Sequence, residues 1–202
     1  DRTIKLLREY VNDEDLLKLS TTSEVMTVID RNRAVLRLKQ QMDLLSGSSS
    51  FIKNAMVFIP LMNRSVASNA NSIIDFDDEM FQALSASKNA LDSPFLIWNN
   101  RVFITMPYGY LDNSPLFLIA VELSSEAITA KLRQFALEDS IAVLLSNQMV
   151  WSSLGASPSA IDNKTKAMLN TADEGSRRVE INDMDYLLAA KKSDILNTTL
   201  LM

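Results

Sequence analysis

The sequence of 202 residues contains no cysteine and no histidine. Without cysteine the chain has no disulfides, no thiolate metal sites and no cysteine nucleophile. Without histidine it lacks the commonest general base and the commonest transition-metal ligand, and a Ser-His-Asp triad cannot be assembled. Carboxylate and lysine chemistry are what remains, so we expect a protein that is not an enzyme.

Long apolar runs and an excess of basic residues are also missing. A bilayer span needs about 18–20 apolar residues, whereas the longest runs here, 55–62 and 115–121, are the length of strands. The 20 basic side chains are outnumbered by 25 acidic ones, for a net charge of −5, which argues against nucleic-acid binding by this segment. No phosphate-binding loop, dinucleotide fingerprint or metal-ligand spacing occurs, so we expect no cofactor.

The first part of the chain, residues 1–49, has a helical pattern. It lacks proline and contains glycine only at Gly47, and its apolar residues recur at steps of three, four or seven. Residues 12–15 and 20–23 offer N-cap side chains, which predicts two or three helices rather than one. Gly47 and the serines after it end this helical spine.

Beyond residue 50 the pattern changes to short apolar strands with turn residues between them. We predict a first unit at 50–123, a connecting helix at 124–138 and a second, smaller unit at 139–202. In the second unit, 141–153 resembles a hairpin, 155–158 a loop, and three strands close the chain. Each unit has the order hairpin, helix, antiparallel strands, which is PAS-like.

The hairpin at 95–104 turns at Asn99-Asn100, since asparagine tolerates positive φ. Its register predicts that Trp98 faces Arg101 and that Leu96 faces Phe103 on one side of the sheet. The other side is purely apolar and should face a helix.

Two interpretations of the polar side of this hairpin stay open. In the first, Trp98 and Phe103 stack on a ligand while Arg101 pairs with its carboxylate. The next loop would then close over the ligand with three further side chains: Tyr108, Tyr110 and Asp112. In the second, this side is an exposed sheet face on which Arg101 stacks on Trp98 as a cation–π pair.

Two acidic clusters have less informative explanations. Asp75, Asp77, Asp78 and Glu79 lack the glycine turn of a hard-cation site, and helix capping explains them better. The carboxylates at 13–15 are the residue types of a hydrolase, but nothing else in the sequence converges on them. We interpret them as a solvated break between helices.

The order of elements resembles that of the double Cache domain, an extracellular sensor domain of bacterial histidine kinases, chemoreceptors and membrane-tethered AraC-type regulators. The resemblance is carried by the helix running into the strand at 52–60, by the hairpin Trp98-Asn-Asn-Arg-Val-Phe103 followed by Leu116-Phe-Leu-Ile-Ala-Val-Glu-Leu123, and by the closing strands at 186–201. It implies an α+β fold in which a long N-terminal helix precedes two PAS-like (Cache) units with antiparallel sheets.

The same resemblance implies a function. A small polar ligand would bind the membrane-distal unit, and the intact receptor would be a parallel homodimer at the cell membrane, with the sensor outside the cell. Its membrane helices would flank this chain, which we expect to be a fragment. Two alternatives stay open: a protein-interaction module of similar fold without a ligand, and a hydrolase that uses carboxylates.

Overall fold

A computed structural model describes residues 2–71, 73–86, 95–111, 114–136, 142–146, 149–153, 155–159, 175–181, 184–193 and 198–201. Its contacts divide the chain into two compact units, Asp1–Ser124 and Ser125–Met202. Within the described residues, no helix is long and apolar enough to cross a membrane.

The N-terminal segment forms three helices, within the range that the capping signals predict. They are α1 (Arg2–Tyr10), α2 (Glu14–Thr21) and α3 (Val28–Gly47). The Asp13 carboxylate caps α2 by accepting a hydrogen bond from the Leu16 amide at 2.9 Å. The Thr27 hydroxyl caps α3 in the same way, accepting from the Asp30 amide at 3.1 Å. These caps satisfy amides that have no partner inside a helix. Asp13 lies in the predicted break at 12–15, whereas Thr27 lies beyond the predicted break at 20–23.

Unit 1 is built around a six-stranded antiparallel sheet. Its strands are β1 (Ile52–Ile59), β2 (Arg64–Ala67), β3 (Ile73–Asp75), β4 (Phe95–Trp98), β5 (Arg101–Leu111) and β6 (Ser114–Leu123). The spatial order is β3-β2-β1-β6-β5-β4, and every neighbouring pair is antiparallel. A short helix, α4 (Asp78–Ser85), follows β3.

Helices pack on both sides of this sheet. Met80, Phe81 and Leu84 of α4 form one hydrophobic cluster with strand residues on one side. The strand members are Met56, Phe58, Ala67, Phe103, Leu118 and Ala120. Since strand side chains alternate between sides, the buried residues between them, such as Val57 and Ile119, belong to the opposite side. There α3 lies against β1 and β2, and α2 against β6.

Strand β5 corrects one expectation. Residues 108–112 were predicted to lie in a loop, but β5 continues to Leu111. Pro107 lies beyond the four residues of β5 that pair with β4, so its missing N–H interrupts no ladder with the described residues on that side. Gly109 has φ +56°, and a Cβ there would lie 2.7 Å from Leu116 Cδ1, so only glycine fits without strain.

Unit 2 contains α5 (Ser125–Phe135) and a second antiparallel sheet. Its strands are β7 (Val143–Ser146), β8 (Met149–Ser152), β9 (Gly155–Ser159), β10 (Gly175–Ile181), β11 (Met184–Ser193) and β12 (Thr198–Leu201). The spatial order is β10-β11-β12-β7-β8-β9. When the strands of each unit are numbered in chain order, this order is that of the first sheet read in reverse. The two sheets therefore share one topology, and the predicted fold of two PAS-like units is confirmed.

One strand of unit 2 replaces a predicted loop. Residues 155–158 were expected to form a loop because they include Gly155 and Pro158, but they belong to β9, which pairs with β8. Among the described strands, β9 lies at the edge of its sheet, and proline is tolerated in edge strands because one side of such a strand needs no ladder hydrogen bonds. The predicted helix at 161–172 and the turn at 147–148 lie outside the described residues.

Candidate functional site

The hairpin of β4 and β5 has the predicted register. Trp98 pairs with Arg101 and Leu96 with Phe103. Asn99 and Asn100 have φ of 47° and 58°, the left-handed values that a tight two-residue turn requires. Phe103 belongs to the cluster beneath α4, and Leu96 and Trp98 pack against that cluster, so the polar side of the hairpin faces α4.

Arg101 interacts with both aromatic rings and with an acid. Its guanidinium carbon lies 5.8 Å from the centroid of the Trp98 ring and 5.0 Å from that of Phe103. Its Nε donates to Glu122 Oε1 at 3.0 Å and its Nη2 to Glu122 Oε2 at 2.5 Å. This paired geometry is the strong form of an arginine–carboxylate interaction. The predicted cation–π contact is present, together with an ion pair that was not predicted.

Glu122 is the buried centre of this charged group. Its side chain is 4% exposed, and Lys53 Nζ lies 3.2 Å from Oε1 as a second cation. Burial raises the pKa of the Glu122 carboxyl, but hydrogen bonds and charge from Arg101 and Lys53 outweigh it, so the pKa lies below its ordinary value. The hydrogen bond to Glu122 raises the pKa of Arg101. The acid and the arginine are therefore both charged at neutral pH.

An aromatic group lies on the same side of the sheet, under α4. Phe58, Phe76 and Phe81 contact one another with ring centroids 5.0–5.9 Å apart. Phe58 and Phe81 are buried in the cluster under α4, so the charged group lies at the edge of an aromatic core. Apolar and aromatic side chains with a few polar groups are the usual composition of a site for a small molecule.

The other predicted site residues are not brought to this place. Tyr108 and Tyr110 occupy the alternate positions of β5, so they lie on the opposite side of the sheet from Arg101 and Phe103. Tyr108 stacks on Phe117 with centroids 5.0 Å apart, and Tyr110 is exposed. Asp112 lies outside the described residues. The structure groups Trp98, Arg101 and Phe103, and separates them from both tyrosines.

Glu122 and Lys53 are the site residues that the sequence analysis missed. Glu122 is a single carboxylate within the apolar strand β6, whose other residues from 117 to 121 are buried and uncharged. An isolated charge in such a strand needs a partner, and this signal was available in the sequence.

The acidic clusters act mainly in capping and ion pairing. Asp77 caps α4 by accepting from the Met80 amide at 2.9 Å, and Asp75 pairs with Arg64 at 3.1 Å. In the described parts of the chain, no group of three or more acidic side chains is arranged to hold a metal ion.

An open cleft of about 420 Å³ lies between α2 and α3, away from this site. Its lining is charged: Asp15, Lys18, Asp30, Arg33 and Arg37, with Thr22 and Met26. The hydrogen bond from Arg37 lowers the pKa of Asp15. A general acid needs a raised pKa, so Asp15 does not suit that role.

Comparison with solved structures shows which known folds this chain resembles. The extracellular domain of rpHK1S-Z16, described as a histidine kinase, superposes with a TM-score of 0.58 at 12% identity, over 81% of this chain and 75% of that one. The ligand-binding domain of the Campylobacter jejuni chemoreceptor Tlp3, in complex with 4-methylisoleucine, gives 0.53 at 13% identity, over 100% and 84%. The Tlp3 sensory domain with isoleucine bound gives 0.53 at 12% identity, over 100% and 86%.

No protein-family profile matches the sequence, and no curated protein is significantly similar to it. The structural likeness confirms the predicted fold: the chain has the fold of the extracellular sensor domains of histidine kinases and chemoreceptors.

Proposed function

We propose that the chain is the extracellular ligand-sensing domain of a bacterial transmembrane receptor. Residues 1–49 form its spine, 50–123 the membrane-distal unit that binds a small polar molecule, 124–138 a connecting helix, and 139–202 the membrane-proximal unit. The observation that carries this proposal is the group formed by Arg101, Glu122 and Lys53 beside two aromatic rings. The fold of unit 1 supports it, because similar folds in chemoreceptors bind ligands.

Arg101 is the side chain best placed to contact a ligand directly. Glu122 occupies Nε and one hydrogen of Nη2, while among the described residues Nη1 has no hydrogen-bond partner. An arginine has five donors, so the outer edge of this guanidinium can bond an acceptor on a ligand. Trp98 would contact the apolar part of the same molecule, and Phe103, which is fully buried, would do so only where the Arg101 side chain moves off its ring. Tyr108 and Tyr110 would contribute only through the opposite side of the sheet.

Amino acids are the first ligand class to test. The Tlp3 domains with this fold carry isoleucine or 4-methylisoleucine, molecules that combine charged groups with an aliphatic side chain. A site with Arg101 and Glu122 next to aromatic rings offers partners for each of those parts.

A route for signalling runs through strand β1. Glu122 joins β6 to Lys53 of β1 through an ion pair, and β1 contacts α3 on the other side of the sheet. The domain would have two conformations that differ at Glu122 or Lys53. A ligand that binds one of them more tightly shifts the equilibrium toward it by the difference in its affinity for the two. The helical spine would pass that shift toward the membrane helices.

Exposed apolar side chains on α3 support a homodimer in the intact receptor. Ile29, Leu36 and Leu44 are all exposed, and their spacing places them on one stripe of the helix. A second copy of α3 packed in parallel would cover this stripe. Sedimentation of the intact receptor ectodomain with Leu36→Glu tests this: the variant should be monomeric at concentrations where the wild type dimerises.

The test of ligand binding is a thermal-shift screen of the chain with the proteinogenic amino acids, short carboxylic acids, sugars and amines, followed by calorimetry. Arg101→Ala should weaken a hit roughly 10- to 100-fold, the value of a charged hydrogen bond. Arg64→Ala is the matched control, because Arg64 lies in the same sheet and pairs with exposed Asp75. A hit that Arg101→Ala leaves unchanged would place the site elsewhere. No hit, with self-association retained, would favour the interaction module.

A further inference from the structure

The surroundings of the Arg101 guanidinium have the chemistry of a receptor site for an organic cation. A buried carboxylate binds it along one edge, and two aromatic rings lie within 5.0–5.8 Å of its charged carbon. We propose that Glu122, Trp98 and Phe103 form a binding site for an alkylammonium or guanidinium group, which Arg101 fills while no ligand is present. This inference rests on the proposed function. It adds the chemical class of the ligand group and makes Arg101 a competitor for the same site.

The reason that Arg101 occupies the site is the burial of Glu122. Its side chain is 4% exposed, and an ionised carboxylate removed from water needs a cation nearby. In the described parts of the chain, Arg101 and Lys53 are the cations that pair with it. A cation above aromatic rings is further attracted by their negative faces. Any organic cation of similar size would meet the same attraction.

Both resident cations are able to leave. The side chains of Arg101 and Lys53 are 36% and 58% exposed, and Arg101 is the first residue of β5, directly after the turn at Asn99 and Asn100. Replacing Arg101 by a ligand cation keeps the charge and the hydrogen bonds of Glu122. The released guanidinium is then free to bond an acceptor group on the same ligand.

Competition by Arg101 has a consequence for affinity. A ligand cation binds only the fraction of molecules in which Arg101 has left, so its apparent affinity is reduced by that fraction. Removing the Arg101 side chain should therefore create a site for simple cations that the wild type does not bind measurably. This gain of cation binding is opposite in sign to the loss of affinity that Arg101→Ala should cause if Arg101 bonds an acceptor group on the ligand.

Chemical rescue tests the inference with the full 202-residue chain. The variants are Arg101→Ala and the double variant Arg101→Ala/Glu122→Gln, and the probe is methylguanidinium at about 20 mM. If the probe binds with a Kd of about 5 mM, the Tm of Arg101→Ala should rise by about 2–4 °C. The wild type and the double variant should show no rise. Urea at the same concentration is the neutral control of similar shape, and sodium chloride controls for ionic strength.

The inference is overturned if methylguanidinium raises the Tm of no variant, or raises those of Arg101→Ala and the double variant equally. Should Arg101→Ala not fold, Arg101→Gln is used in its place, since glutamine is shorter than arginine and uncharged. The result is independent of the ligand screen. If methylguanidinium raises the Tm of Arg101→Ala but the screen finds no ligand, the result supports the cation site and counts against the sensing function. If the screen finds a ligand but methylguanidinium has no effect, the result supports the sensing function and counts against the cation site.

Discussion

The two sides of the unit 1 sheet differ in what they bury. On the side of α3, the buried strand residues are apolar, as Val57, Val102 and Val121 illustrate. On the side of α4, the buried residues include every buried polar side chain of these six strands: Asn54, Ser65, Thr105 and Glu122.

This difference suits a sheet whose α3 side provides stability and whose α4 side carries the proposed site. An all-apolar side under helices gains stability from burial alone, and nothing on it selects a ligand. The α4 side carries a charged group and also a buried hydroxyl, that of Ser65, which has no hydrogen-bond partner among the residues that the structure describes. Buried polar groups cost stability unless they are satisfied. A side that bears this cost is where recognition is expected.

The largest effect is expected from placing a charge on the apolar side. Val121 is fully buried next to Glu122 in β6, and Val121→Glu would bury a carboxylate without a cation. We expect a loss of about 3–5 kcal/mol, the range for an unpaired buried charge, measured by urea unfolding. Glu122→Gln, one residue away, should cost much less. Similar stabilities for the two variants would show that the two sides of the sheet do not differ in this way.

A smaller effect follows from the pH dependence of Glu122. Its pKa is lower in the folded state, so its stabilising contribution is present above the unfolded pKa of about 4.3 and is lost as pH falls through the folded value. The difference in Tm between the wild type and Glu122→Gln should therefore be largest near neutral pH and shrink below about pH 4.3. A difference that stays constant from neutral to acidic pH would mean that the ion pair contributes nothing.

The smallest effect is expected at the turn that sets the register of Trp98 and Arg101. Asn100 has φ +58°, which glycine adopts without strain and a β-branched residue does not. Asn100→Val should cost about 1–2 kcal/mol, whereas Asn100→Gly should be neutral or slightly stabilising, both measured by urea unfolding. Equal stabilities for the two variants would mean that the turn does not hold this conformation in solution.

Much of the fold was predictable, because its signals are local. The hairpin register followed from Asn99-Asn100 and from the alternation on either side of it, and the start of α2 followed from the capping residues at 12–15, which include Asp13. The loop predictions at 108–112 and 155–158 were wrong, because residues 108–111 and 155–158 lie in strands. Whether a strand can accept proline or glycine depends on whether a neighbouring strand is present at that point, and no local sequence pattern shows this.

The candidate site was only partly predictable for a related reason. Counting the alternation of β5 from Arg101 would have separated Tyr108 and Tyr110 from Phe103, once the strand was known to continue past Pro107. The pair of Arg101 and Glu122 joins residues 21 positions apart. It exists because β5 and β6 pair in one register, and a shift of one residue would move Glu122 to the opposite side.

The amino-acid sequence by itself determined the helical start, the hairpins, the PAS-like order and the absence of histidine and cysteine chemistry, since each depends on composition or on residues a few positions apart. Only the tertiary structure decided which side of the sheet α4 covers and that Glu122 holds Arg101 and Lys53. Those outcomes depend on strand pairing and burial, which arise when distant segments meet and water is excluded between them.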